Sequence, residues 1–187
     1  MAALASALAD VFARAPASLP FAARFLTGAM LETVDEAALV VTGTAIGEAV
    51  EIALAEGRIA TTGLLLEDAQ EVALALAGTG ARDKKQAVLC AALSKCTPIE
   101  ARYLARAILG EMRVGAKEGI VEDAIAKAFG RTLPDVKRAA GLVSDVGELA
   151  RLAAEDRLAE ACVVIGRPVG FKVEAAEALR RLSMFVG

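Results

Sequence analysis

Apolar residues recur three and four positions apart along almost the whole chain, against a background rich in Ala, Leu, Glu and Arg. This period puts the apolar side chains on one face of a helix and predicts a succession of amphipathic helices. The first covers residues 2–14 and the second 19–31, with Pro20 near its start. A third is expected over about 46–56, before Gly57, and a fourth over about 64–77, before Gly78. The loop GTGAR (78–82) leads into a helix over 83–95, with Asp83 as its cap. TPIE at 97–100 places Thr at N-cap, Pro at N1 and Glu at N3, which is a capping box with the favoured proline. That helix should run from 98 to Leu109 and stop at Gly110, where a glycine suits the residue just past a helix end. The next runs from about Glu118 to Phe129 and stops at Gly130. TLPD (132–135) opens a helix near 134–140, and others follow near 145–154 and 154–160. The helical period is lost in ACVVIGRPVGFKV (161–173), which reads as extended, and a short helix over 173–184 closes the sequence.

A faint internal repeat runs through these helices. At an offset of 78 residues, Pro20, Ala23, Arg24 and Leu26 match Pro98, Ala101, Arg102 and Leu104, with Phe25 opposite Tyr103. Further on, VTGTAIGEAVEIALAEG parallels RVGAKEGIVEDAIAKAFG with small shifts. The fold class expected is all-α: one helical domain of about ten to twelve short helices in two pseudo-symmetric halves. The domain spans 1–165, with halves of about 1–78 and 79–165, and 166–187 form a linker and short helix.

Composition narrows the function classes. Hydrophobic residues make up 56% of the 187, but much of this is Ala, and charges break every apolar run short of a membrane span. Asp10 lies in the opening stretch with no basic segment ahead of it, so that stretch reads as an amphipathic helix and not a signal peptide. The compartment expected is cytoplasmic, or nuclear in a nucleated cell. The absence of His and of any CxxC pair argues against a zinc site or a His-based triad. Cys90, Cys96 and Cys162 sit among apolar neighbours and read as buried free thiols. The net charge is −3 but unevenly spread: residues 1–81 hold 3 basic and 10 acidic residues, 82–138 hold 12 and 7, and 139–187 hold 6 and 7. The basic middle could attract phosphate locally, or be an ordinary solvated helical surface.

Within that middle, Gly110, Arg113, Gly115 and Lys117 lie close together between two helices. Glycines allow close backbone approach, helix-start N–H groups favour anions, and Arg and Lys add full charge. Spacing alone equally fits a plain helix stop with solvated side chains. No GxxxxGK[ST] loop is present.

The stretch KKQAVLCAALSKCTPIEARYLARAILGEMRVGAKEGIVEDAIAKAFG resembles the N-terminal DNA-binding domain of ATP-dependent DNA ligases. The elements that carry the likeness are Lys84–Lys85, Glu100 to Leu104, Gly110 to Gly115, and Val121 to Phe129. Gly166, Arg167, Pro168 and Val169 match the family's linker, whereas Gly170 to Val173 depart from it. The resemblance implies an all-helical domain of two similar halves that grips nicked duplex DNA through the minor groove. It implies DNA contacts at Gly110, Arg113, Gly115 and Lys117, at the counterpart turn Thr42, Gly43 and Thr44, and at Lys84 and Lys85. Glu111 stands where some relatives carry a basic residue, which weakens phosphate attraction there.

The family's catalytic lysine lies in a K-x-D-G motif, and no lysine in this sequence is followed by x-D-G. The chain is therefore expected to be a non-catalytic piece of a longer ligase, with Gly187 near the start of the catalytic domain. No cofactor is expected here; ATP and Mg belong to that other domain. The implied partners are double-stranded or nicked DNA and the catalytic domain, with no membrane and a monomeric state. The alternative is a helical protein–protein scaffold, its acidic residues 1–81 turned to a partner.

Overall fold

The computed structural model describes residues 2–32, 41–55, 63–111 and 118–163. Among them are nine α-helices, two single 3-10 turns and no strand. The helices are α1 (Ala2–Arg14), α2 (Leu19–Thr27), α3 (Gly43–Ala55), α4 (Leu66–Ala77), α5 (Arg82–Leu93), α6 (Pro98–Ile108), α7 (Glu118–Ala128), α8 (Leu133–Ala140) and α9 (Val146–Ala154). The 3-10 turns are Pro16–Ser18 and Leu158–Glu160. The all-α expectation holds.

Two apolar cores form. One gathers buried residues of α3, α4, α5 and α6, among them Ile46, Leu76, Leu89, Leu104 and Ile108. The other gathers α1, α2, α7, α8 and α9, among them Leu8, Val121, Ile125, Val136 and Leu149. Helix α2 joins them by splitting its faces: Phe21 and Phe25 turn to the first core, Leu19, Ala23 and Leu26 to the second. The broadest helix contacts are α2 on α9, α1 on α7 and α3 on α5. Shifted by the repeat offset, α1 falls on α5 and α7 on α3, so the last two pairings are counterparts. Each core thus takes helices from both repeats: α1 and α2 pack with α7 to α9, and α5 and α6 with α3 and α4.

Two ties hold the crossing. Arg24 of α2 donates from Nε and Nη2 to Asp145 Oδ1 and Oδ2 at 2.8 and 2.7 Å. Asp145 is also the N-cap of α9, its carboxylate accepting from Glu148 N at 2.8 Å. Gly147 in the first turn of α9 lets α2 approach closely; a Cβ there would lie 2.6 Å from Pro20 O. The T-shaped ring pair Phe12–Phe129, 5.5 Å between centroids, couples α1 to the end of α7.

Several local expectations need correction. The second helix stops at Thr27 and not at 31, because Gly28 (φ +92) turns the chain and the Ala29 N–H closes back on Arg24 O. Met30 and Leu31 kept the apolar pattern only because both are buried. The third helix starts at Gly43, earlier than expected, since Thr42 caps it. Asp83 lies in the first turn of α5, and the N-cap is Ala81. The expected helix over 154–160 shrinks to one 3-10 turn after Asp156 adopts φ +61. Of the three thiols, all free, only Cys96 is buried; Cys90 is half-buried and Cys162 exposed beyond the last 3-10 turn. The expected extended run from 164 to 173, the helix over 173–184 and the linker motif Gly166–Val169 lie outside the described residues.

Candidate nucleic-acid interface

Helix α6 is fixed at both ends. Thr97 N donates to Glu100 Oε2 at 2.8 Å and the Thr97 hydroxyl does the same at 2.8 Å, while Thr97 Oγ1 accepts from Glu100 N. Glu100 Oε2 further accepts from Leu64 N at 3.2 Å, tying α6 to the segment before α4. These donors, Thr97 N–H foremost, hold the Glu100 carboxyl below its usual range. At the other end Gly110 adopts φ +68, Gly110 N donates to Ala107 O, and Glu111 N donates to Arg106 O at 2.7 Å. This paired closure is the Schellman arrangement that glycine permits. No heavy atom lies within 4 Å of a Cβ built at Gly110, so its backbone faces open space. Of the candidate turn, Gly110 is therefore placed, exposed at the end of α6. Arg113, Gly115 and Lys117 lie outside the described residues.

The counterpart segment is a helix start and not a free turn. Thr42 Oγ1 accepts from Ala45 N at 3.2 Å and Thr42 O from Ile46 N, which makes Thr42 the N-cap of α3. Gly43 and Thr44 occupy the first turn, both exposed. First-turn N–H groups lack partners within a helix and carry its positive end. Lys84 and Lys85 sit in the first turn of α5, Lys84 exposed. Cations there oppose the helix dipole, which the neighbouring Asp83 favours.

The pairing of the remaining cations is uneven. Outside the basic segment, Arg14, Arg24, Arg151 and Arg157 each meet a carboxylate. Within it, Arg82 meets Glu48, Lys127 meets Asp123 and Arg131 meets Asp156. Lys84, Lys95, Arg102, Arg106, Lys137 and Arg138 have no carboxylate partner among the described residues. Among the described residues these six all fall between 84 and 138, five of them exposed and Arg106 half-buried. The sequence marked the segment and Lys84, but not the other five, because pairing depends on contacts far along the chain.

No group of three or more His, Cys, Asp or Glu suited to a metal occurs among the described residues. Burial, aided by the Glu100 charge, pushes the Cys96 thiol up to about 11, so it stays protonated near neutral pH. No described helix is long and apolar enough to cross a membrane.

The matched part of a "probable DNA ligase" of Koribacter versatilis is 45% identical over 96 residues, 51% of this chain and 17% of that protein. A DNA ligase of Natronomonas pharaonis is 47% identical over 96 residues, 50% of this chain and 18% of that protein. A probable DNA ligase of Opitutus terrae is 44% identical over 85 residues, 46% of this chain and 8% of that protein. The matched stretch spans less than a fifth of each of these relatives. The family model described as "DNA ligase N terminus" covers residues 2–126, from the first helix through nearly all of α7. By that coverage the chain belongs to the DNA ligase N-terminus family.

Proposed function

We propose that this chain is the non-catalytic part of an ATP-dependent DNA ligase that holds double-stranded or nicked DNA, without base specificity, through phosphate and minor-groove contacts. The observation that carries the reading is that, among the described residues, the cations without a described carboxylate partner fall between 84 and 138, in a chain of net charge −3. Six cations without a described carboxylate partner leave this segment a locally positive surface, which attracts phosphate. Exposed helix-start N–H groups at Gly43–Thr44 and the open backbone at Gly110 suit phosphate oxygens, which position a duplex without reading it. Affinity would come from counterion release and fall with salt by about 0.9 log units per log unit of salt for each phosphate neutralised. Sealing would be done elsewhere in the full protein, by an adenylated lysine with ATP and a metal ion, while this part keeps the nick in place during replication and repair. Cytoplasm, or nucleus, is the compartment this role requires.

Fluorescence anisotropy with nicked duplex, intact duplex and single strand tests the proposal. Salt-sensitive binding to both duplexes is expected, weakened across sequences by Arg113→Ala with helix content unchanged by circular dichroism. Equal affinity of Arg113→Ala and the parent at low salt would refute the role of the turn. A second reading, docking of a protein partner, is favoured by one feature. Leu65 (65% exposed), Ile99 (64%) and Tyr103 (41%) rim an apolar groove of about 460 Å³ between α4 and α6. Absence of duplex binding would leave that reading in possession.

A further inference from the structure

We infer that the phosphate-holding surface extends from Gly110 back along α6, with Arg106 and Arg102 as two further contacts to the DNA backbone. The inference rests on the DNA-holding reading above and adds a site to it. Arg102, Arg106 and Gly110 are four residues apart, so they share one face, about 6 Å per step along the axis. The opposite face is fixed in the core by Leu104, Ala107 and Ile108. The solvent face then consists of Ile99, Arg102, Tyr103, Arg106 and Gly110, and it carries no carboxylate. The one acid of α6, Glu100, lies about 200° from Arg102 around the helix, its oxygens engaged by Thr97 and Leu64.

Two features make this face fit a nucleic-acid strand in particular. Neither arginine has a carboxylate partner among the described residues, whereas Arg82 and Arg131 in the same basic segment both do. The exposed Ile99 and Tyr103 interleave with them, and an apolar body beside each cation suits a backbone in which sugars alternate with phosphates. The track leads into Gly110, where the backbone is open. Glu111, exposed just past it, opposes an anion and marks the limit of the track in the described residues.

The test is a salt series of anisotropy titrations with a labelled nicked duplex. Four variants are compared with the parent chain: Arg102→Gln/Arg106→Gln, Arg102→Lys/Arg106→Lys, Arg102→Gln alone, and Arg157→Gln as a paired-arginine control. The double Gln variant should lose about 1.8 from the salt slope, 0.9 per contact, and roughly eightfold in affinity per contact near 0.1 M salt. Arg102→Gln alone should lose about half of that slope, which keeps the outcome readable if the double variant folds poorly. The Lys variant keeps its slope, which a merely structural role for guanidinium would not explain, and Arg157→Gln leaves it unchanged. If the parent binds with a salt slope that Arg113→Ala reduces and the Gln variants do not, the track is refuted and the DNA-holding reading stands. If the parent shows no salt-dependent duplex binding, both fall.

Discussion

Asp145→Ala should be among the most damaging single changes outside the apolar cores. The Asp145 side chain is 7% exposed and that of Arg24 12%, and the two make a bidentate pair. Burial by itself would lower the Arg24 pKa, but the Asp145 hydrogen bond and charge outweigh it and raise it. Removing the carboxylate leaves the guanidinium with Glu32, at 3.3 Å, and the more distant charge of Glu148. Breaking a buried pair costs about 3–5 kcal/mol, and the residual Glu32 contact argues for the lower figure. The same substitution removes the N-cap of α9, about 1 kcal/mol more. The total of about 4 kcal/mol corresponds to a fall of about 8–16 °C in Tm for a chain of this size. Asp145→Asn keeps the cap and should cost about half as much. Urea unfolding followed by circular dichroism measures each variant, and the double variant Arg24→Met/Asp145→Asn should cost clearly less than the two single changes added together. A loss below about 1 kcal/mol for Asp145→Ala, or strict additivity in the double variant, would refute the view that this pair locks α2 onto α9. The pair matters for function because, among the described helices, α2 is the one shared by both cores. A loosened α2 lets the core bearing α3 and α6 shift against the core bearing α7.

What could be read from the sequence was local. The start of α6 was legible because Thr97, Pro98 and Glu100 act on one another within a single turn. Its end was legible because Gly110 needs nothing beyond its own backbone. The second helix was overextended because Met30 and Leu31 continue the apolar period, and the strained turn at Gly28 overrides a pattern that only reports burial. The repeat was legible as similarity, but not the exchange it leads to, since α1 meets α7 and α5 meets α3 across 26 or more intervening residues. The candidate site divides in the same way. Lys84 and Lys85 stood out by adjacency, and Thr42 by its counterpart. Arg102 and Arg82 looked alike as letters, and only the fold gives Arg82 a Glu48 to pair with and leaves Arg102 none among the described residues. The third role of Glu100, accepting from Leu64, spans 36 residues and had no local sign.

Two further substitutions test the packing and the cap. Gly147→Ala should destabilise by roughly 1–3 kcal/mol, because its Cβ would press on Pro20 O at 2.6 Å and Arg24 Nε at 2.9 Å. Gly119→Ala in α7, with nothing within 4 Å, should instead stabilise by about 0.4–1 kcal/mol; equal signs for the two in thermal melts would contradict the close approach of α2 to α9. Glu100→Gln probes acid stability. The Glu100 carboxyl is held below its usual range by Thr97 N–H and hydroxyl and by Leu64 N–H, donors that favour the ionised form. A group whose folded pKa is depressed adds stability that is fully present above its unfolded pKa, near 4.3, and lost as pH falls through the folded value. The parent should therefore lose stability below about pH 5, and Glu100→Gln should start lower near neutrality but lose less on acidification. Urea midpoints at pH 7 and pH 3.5 read the difference directly. A midpoint gap between parent and variant that is the same at both pH values would show that Glu100 does not hold α6 through its charge.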